Sequence, residues 1–487
     1  MNCPTFTTSS NGYTLILGLG ETGVAAAHWY LQQQLPVRLA DTRPDYQIHI
    51  DKLVQSYDPP YLDVVLGTDA LSLSVLNGVK TIVISPGLAV TDPQVAALLA
   101  AAQQQGLKVI SEIELFAQAL ADLATQGYQP TVLAVTGTNG KTTVVQLLKH
   151  MIQTAGRSVE VAGNISPASL VALQACLATQ QWPDFWIIEL SSFQLEHTYS
   201  LPVLAGLVLN LSQDHIDWHG SMAAYAKAKA HLFSMSQIAV VNRGDAATLT
   251  MVPPTQTWLS FGLGAPTRTQ DFGLDLYQDQ EWICTLATQQ NGLEYLMPAS
   301  AVAIAGRHNL SNALAALCVF QAVGLDIDAG LAALSTYYGE PHRCQFVRTV
   351  REVSFINDSK GTNVGATVAA IEGLGRAMVL IAGGVAKGQD FSPLAQAIAS
   401  NPCRAIVLIG RDAPLLQAAL AGLDIPVELA ATLEQAVQQA YQLSQAGDVV
   451  VLSPACASFD MFSSYIDRGY QFVAAVTELA LDEGEVA

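Results

Sequence analysis

The residues best suited to chemistry lie in two glycine-rich turns. Thr136-Gly137-Thr138-Asn139-Gly140-Lys141-Thr142-Thr143 follows the apolar run "VLAV" and leads into "VVQLL". A strand, a turn and an apolar-periodic helix in that order set backbone N–H groups and a helix N-terminus around phosphate. Lys141 would then reach the β- and γ-phosphates, and the Thr142 hydroxyl would ligate Mg²⁺. The usual pattern asks for glycine where Val135 stands, and Gly137 partly replaces it in a shorter loop. The strand–loop–helix context favours a nucleoside triphosphate over a plain helix-capping turn. Such a site also needs a carboxylate, and "DFWIIELSSFQLE" offers Glu189 at the end of an apolar strand. A solvated or helix-capping glutamate is the plainer alternative. "LNLSQDHIDWHG" brings Asp214, His215, Asp217 and His219. Their spacing fits a transition-metal site only loosely, because triphosphate sites take Mg²⁺ with oxygen-rich shells.

The second turn, "GLGETG", carries Gly18, Gly20 and Gly23 after "YTLIL", with Asp41 closing the next strand. By pattern this is a nicotinamide or flavin fingerprint. Thr42-Arg43 beside Asp41 suits a phosphate or uracil contact instead, and no hydride-transfer constellation accompanies it. The same geometry holds any diphosphate. The expectation is that the incomplete loop turns over ATP while the complete one only holds a nucleotide-linked substrate.

The elements that must position these loops alternate regularly. "YTLILGLG", "PVRLAD" and "TIVISPG" read as buried strands and "QVAALLAAAQQQG" as a helix, giving a first α/β unit. "TVLAV", "FWIIEL" and "AGLVLNL" belong to a second; "VSFIND", "AMVLIAGG", "RAIVLIG" and "DVVVLSP" belong to a third that begins near "GEPHR". The turn-rich stretch 245–300 reads as an antiparallel flap on the middle unit. The expected domains are 1–110, 111–338 and 339–487: Rossmann-like, P-loop-type ATPase and Rossmann-like.

The chain has 487 residues, 51% hydrophobic and 13% charged, with a formal net charge of −19. That composition supports several cores, and that sign of charge disfavours nucleic acid and anionic membrane. Seven cysteines without a C-x-x-C pair argue for a reducing compartment. "MNCPTFTTSSNG" has no basic or apolar leader pattern, and no apolar run approaches a bilayer's thickness. A cytoplasmic, monomeric enzyme of small-molecule substrates is expected.

"TGTNGKTT", "ELSSFQLE", "DHIDWHG", "AGRHNLSNALAA", "PHR", "NDSKGTNVGAT" and "LSPACASFD" run in one order over nearly the whole chain. In these blocks it resembles the Mur ligases, ATP-dependent amide-bond-forming enzymes of peptidoglycan synthesis. "SSFQLE", "NDSKGTN" and "SPACASFD" look most like the branch that adds D-glutamate to UDP-N-acetylmuramoyl-L-alanine. The resemblance implies that Glu21, Thr22, Asp41, Thr42, Arg43 and Gly87 line the UDP-sugar pocket, with Asn164, His215 and, more weakly, Ser166 on the substrate side. It implies Lys141, Thr142 and Glu189 at phosphate and Mg²⁺, His215 at a second Mg²⁺, and Asn309, Asn312, Arg343 and Asp358 at ATP. Lys360, Thr362, Lys387, Ser458 and Tyr465 would hold the amino-acid acceptor. It also implies a lysine carbamylated by CO₂; "AYAKAKAHLF" offers Lys227 and Lys229, and the register from Tyr225 favours Lys229. "GGVAKGQDF" departs from the family with Val-Ala where an acid and Gly are more usual, and Tyr465 stands where Phe is common. Rivals are a ligase with a different acceptor or of the folylpolyglutamate type, a nicotinamide oxidoreductase on "GLGETG", and a nucleotide-gated binding module.

Overall fold

The computed structural model describes residues 12–44, 46–47, 50, 62–212, 214–287, 292–304, 306–386 and 389–485. Lys387 lies outside them. Three α/β sheets form, as the alternation of apolar runs and helical segments predicts. The first has five parallel strands in the order β3-β2-β1-β4-β5. They are β1 (Tyr13–Leu17), β2 (Val37–Asp41), β3 (Leu62–Leu66), β4 (Val79–Ile84) and β5 (Lys108–Ile110). The helix Glu21–Gln32 follows β1 directly, so the glycine turn ends at a helix N-terminus.

The second sheet runs β14-β13-β12-β11-β10-β9-β6-β8-β7. Its strands are β6 (Thr131–Thr136), β7 (Val159–Gly163), β8 (Phe185–Glu189), β9 (Val203–Val208), β10 (Ser236–Asn242), β11 (Thr257–Phe261), β12 (Phe272–Tyr277), β13 (Gln280–Leu286) and β14 (Leu293–Pro298). β6 to β11 pair in parallel, as buried runs covered by helices do. β12, β13 and β14 turn antiparallel, which is the expected flap. The third sheet runs β15-β16-β20-β17-β18-β19: β15 (Gln345–Val350), β16 (Val353–Asn357), β17 (Met378–Gly383), β18 (Cys403–Ile409), β19 (Val427–Leu429) and β20 (Val449–Leu452).

By packing, the chain forms two compact units. One comprises Met1–Val302 with Ser311–Thr336, and the other Ala303–Leu310 with Tyr337–Ala487. In the first unit the two sheets share a core. The helix Glu112–Thr125, capped by the Ser111 hydroxyl, lies between them with Phe116 buried edge-on against Trp186 of β8. Strand ends from both sheets are thereby held in one frame. The third sheet has its own two apolar layers, one on each face. Among the described residues no helix is long and apolar enough to cross a membrane.

Candidate active site

The first loop behaves as its glycines require. A Cβ on Gly23 would stand 1.9 Å from the Gly18 carbonyl oxygen, so helix and turn approach as only glycine allows. A Cβ on Gly20 would meet nothing within 4 Å, because that position faces open space. The space is a cleft of about 400 Å³ lined by the turn, Glu21, Thr22, Asp41, Thr42, Arg43 and Gly87. Asn164, just after β7, and Gln194, on the short helix Ser192–Leu195, complete its lining. Ser166 is exposed nearby in sequence and does not line it.

Asp41 is 4% exposed and fully engaged. Its Oδ2 accepts the Leu19 N–H at 2.7 Å, and both oxygens take Arg43 in a fork at 2.7 Å each. Burial raises the carboxyl, but the Arg43 and Leu19 bonds outweigh it and hold it below the ordinary carboxylate range. The Arg43 guanidinium lies 3.9 Å from the centre of the Tyr46 ring. The acid at the end of β2 therefore braces the turn and sets an arginine over the cleft.

Beneath this cleft is a small cavity that shares Thr22, Ser85, Pro86, Leu88 and Gln194 with it and adds Glu112, His197 and Trp218. Glu112 Oε1 caps the helix Ser169–Thr179 by accepting the Leu170 N–H at 2.6 Å, while its buried Oε2 has no hydrogen-bond partner among the described residues. Burial, opposed by the Leu170 bond and aided by the Glu21 charge, pushes this carboxyl up to about 7. The facing His197, also buried, is held down to about 4 and stays neutral. The folded carboxyl thus keeps a proton that the unfolded chain releases near 4.5, so stability falls as pH rises from there through 7. The amount is roughly 3 kcal/mol. Glu112→Gln, which keeps the capping oxygen, should gain melting temperature relative to wild type between about pH 5 and pH 8; parallel curves in thermal denaturation would refute the assignment.

The second loop follows β6. Gly140 sits in the left-handed region at φ 83° and begins the helix Lys141–Thr154; a Cβ there would meet Asn312 Oδ1 at 2.7 Å. Lys141 Nζ curls back to the carbonyls of Gly137 and Thr138 at 3.0 Å each. Thr142 and Thr143 occupy the first turn. One residue that the pattern did not single out holds the loop. Asn210, after β9, accepts the Thr138 and Asn139 N–H groups at 3.0 and 2.9 Å and returns an N–H to the Asn139 carbonyl.

Glu189 ends β8 beside β6 and is 2% exposed. Its Oε1 accepts Asn164 Nδ2 at 2.9 Å, while its Oε2 is buried with no hydrogen-bond partner among the described residues. An anionic oxygen left bare in the interior is costly unless a cation or donor meets it.

Lys229 lies on the helix Met222–Met235 with its side chain buried, whereas Lys227 is exposed. Lys229 Nζ donates to the Gly137 carbonyl at 2.9 Å and sits 4.7 Å over the Tyr225 ring. Burial, then the neighbouring Lys141 charge, holds its ammonium well below the ordinary lysine range. Tyr225 also shares a 3.1 Å hydrogen bond with the Thr138 hydroxyl, and its ring meets His215 edge-on at 6.1 Å. His215 takes a left-handed backbone at φ 54°, stays half-exposed, packs on Phe193 and lies 3.3 Å from Asp214. His219 packs on the same Phe193 and Tyr225 rings, at 5.6 and 5.3 Å, but its Nε2 pairs with Ser192 Oγ at 2.9 Å and burial holds it down to about 4. Among the described residues no cluster of three His, Cys, Asp or Glu is gathered for a metal.

In the second unit Lys360, Thr362 and Ser458, implied for the acceptor, and Asp358, implied for ATP, lie on loops at strand ends, while Tyr465 opens the helix Tyr465–Asp482. Asp358 follows β16, with Lys360 and Thr362 next, and Ser458 follows β20. Lys360 Nζ stands 5.6 Å over the Tyr465 ring. Asp358 accepts Ser453 Oγ at 2.7 Å and the Cys344 N–H at 3.2 Å; burial, against those bonds, pushes its carboxyl up to about 6. Arg343 is half-buried, as is Asn309. Asn309 belongs to this unit, whereas Asn312 belongs to the first, where it is buried near Gly140.

Arg468, unmarked by any pattern, is 0% exposed. It donates to the Ser359 carbonyl and hydroxyl and to the Cys456 carbonyl, joining the loop after β16 to the loop after β20.

A parallel sheet with a glycine–lysine–threonine turn before a helix, and an acid ending the neighbouring strand, defines a P-loop nucleotide-binding enzyme fold. Family models match in three successive segments: "Mur ligase MurD-like, N-terminal domain" over residues 12–111, "Mur ligase middle domain" over 135–320 and "Mur ligase, glutamate ligase domain" over 342–456. A UDP-N-acetylmuramoylalanine–D-glutamate ligase of Bordetella avium is 48% identical, with 97% of each chain covered. One of the same name from Cupriavidus pinatubonensis is 47% identical, covering 97% of this chain and 98% of its own. The chain belongs to the Mur ligase family.

Among solved structures, a UDP-N-acetylmuramoyl-L-alanyl-D-glutamate–2,6-diaminopimelate ligase matches with a TM-score of 0.55 at 22% identity, over 84% of this chain and 93% of that one. The UDP-N-acetylmuramate–alanine ligase of Thermotoga maritima matches at 0.54 and 15%, over 96% and 99%. At such identities these speak to the fold alone.

Proposed function

We propose that this chain joins D-glutamate to UDP-N-acetylmuramoyl-L-alanine at the expense of ATP; relatives that match it over 97% of its length are named UDP-N-acetylmuramoylalanine–D-glutamate ligases. The observation that carries the chemistry is Asn164, which lines the first cleft and donates to Glu189 beside the P-loop strand. Substrate cleft and phosphate loop thus open on one edge of the same unit. Residues 1–110 serve the UDP-sugar, 111–338 ATP and 339–487 the amino acid.

ATP's γ-phosphoryl passes to the substrate carboxylate, and the acceptor's amine attacks the acyl phosphate, expelling phosphate and leaving an amide. The carboxylate needs this activation because it is a poor electrophile. Its charge also repels the triphosphate, so the loop N–H groups, Lys141 and cations screen the approach. Thr142, the bare Glu189 oxygen, His215 and Lys229 as its carbamate would hold two Mg²⁺ ions, which when bound neutralise charge on the transferred phosphoryl. The donor set fits, since Glu189 Oε2 is a buried oxygen awaiting a partner. The backbone N–H groups of Gly137 to Thr143 cradle phosphate. Asn309, Asn312, Arg343 and Asp358 hold the rest of ATP. Glu21, Thr22, Asp41, Thr42, Arg43, Gly87, Asn164 and His215 hold the UDP-sugar. Lys360, Thr362, Lys387, Ser458 and Tyr465 hold the two carboxylates of the acceptor. The enzyme acts as a cytoplasmic monomer.

The test is phosphate release with UDP-N-acetylmuramoyl-L-alanine and ATP, comparing D-glutamate, L-glutamate, L-lysine and meso-diaminopimelate. D-Glutamate alone should sustain turnover. Release driven by another amino acid would overturn the acceptor assignment, and a change in NAD(P)H absorbance would return the oxidoreductase reading.

A further inference from the structure

The third sheet presents three loops at one end: after β16 (Asp358 to Asn363), after β17 (described at Gly384 to Ala386 and at Gln389 and Asp390) and after β20 (Ser453 to Asp460). The first and third are joined by Ser453 Oγ to Asp358 and by Arg468. The second and third are joined by the Val385–Ala457 bridge, with bonds of 2.8 and 3.0 Å. Asp412 fixes the second from below by accepting the Ala386 N–H at 2.8 Å.

Gln389 touches all three at once. Its Oε1 accepts the Val364 N–H at 3.0 Å, at the start of the helix Val364–Leu374 that follows Thr362 and Asn363. Its Nε2 donates to Ala386 O at 3.0 Å within its own loop and to Ala455 O at 3.2 Å on the third. Ala455 holds a left-handed backbone at φ 58°, a conformation costly for alanine and kept only where its surroundings impose it. One amide thus spends an acceptor and two donors on three backbone groups, a pattern that neither a carboxylate nor an apolar side chain of equal length reproduces.

We infer that Gln389 is a positioning residue for the amino-acid acceptor: by tying Val364, Ala386 and Ala455 together it sets the spacing of Thr362 and Ser458. This rests on the reading of these loops as the acceptor site. It predicts a defect centred on acceptor affinity, because the P-loop and the UDP-sugar cleft belong to other elements and Asp358 is held by Ser453 and Cys344 rather than by Gln389.

The test is steady-state kinetics on the full-length enzyme with Gln389→Met, which keeps length but loses all three bonds, and Gln389→Glu, which keeps only the bond from Val364. Each bond contributes a modest amount, so KM for D-glutamate should rise about tenfold in Gln389→Met and less in Gln389→Glu. KM for ATP and for the UDP-sugar, and the melting temperature, should stay near wild type. An unchanged KM for D-glutamate, or all three KM values rising together, would overturn the inference. Should Gln389→Met not fold, the graded rise in Gln389→Glu decides alone. Wild-type enzyme that ignores D-glutamate while using another amino acid refutes the acceptor reading instead, so the two failures are separable.

Discussion

Lys141→Ala is expected to lower acceptor-dependent phosphate release by about a thousandfold. Lys141 is the cation of the P-loop and already rests on the Gly137 and Thr138 carbonyls, so its ammonium needs only a short swing to meet an anion at the turn. The loop itself should survive, because Asn210 and the glycines shape it. Binding of the UDP-sugar should also survive, since Lys141 does not line its cleft. Calorimetry with the UDP-sugar measures that half of the prediction. A variant that lost turnover and sugar binding together would mean that the two glycine turns have been assigned the wrong ligands.

The second large effect concerns Lys229. A carbamate forms only from a neutral amine, and burial beside Lys141 holds Lys229 well below the ordinary lysine range. More of this side chain is therefore unprotonated near neutrality than that of an ordinary solvated lysine. Added bicarbonate should raise the rate of wild type and not that of Lys229→Ala. The variant itself should fall on the order of a hundredfold, as when support around a metal is lost. The sign with pH follows: carbamylation, and with it activity, should drop as pH falls through the lysine's lowered value. Wild-type rates in Lys229→Ala, with and without bicarbonate, would dispose of the carbamate.

The sequence made some of this legible and hid the rest, for physical reasons. Strands that end in a chemical residue announce themselves: β6 before the P-loop, β8 before Glu189 and β1 before Gly18 are apolar runs stopped by a turn. β3 does not, because Asp63 interrupts it to pair with Arg38 of the adjoining β2 at 2.6 Å. β7 is short and contains Glu160, and no apolar run marks it. Lysine register was readable, since residues two apart on a helix, as Lys227 and Lys229 are, cannot share a face. Asn210, Arg468 and Gln389 were not. Their partners are backbone atoms 71, 109 and 66 residues away, and a side chain that serves a distant carbonyl leaves no periodic trace. The glycine fingerprint was legible and yet ambiguous, because it reports how closely a turn approaches phosphate and says nothing of what lies beyond it.

That ambiguity has a practical side. Both oxygens of Asp41 already receive donors from within the chain. The diol of an adenosine ribose, which the acid ending such a strand ordinarily accepts, would find that seat taken. Compounds designed against this cleft should therefore start from the flat guanidinium of Arg43 backed by Tyr46, and mimics of hydride-carrying dinucleotides would be turned away by wiring the protein keeps for itself.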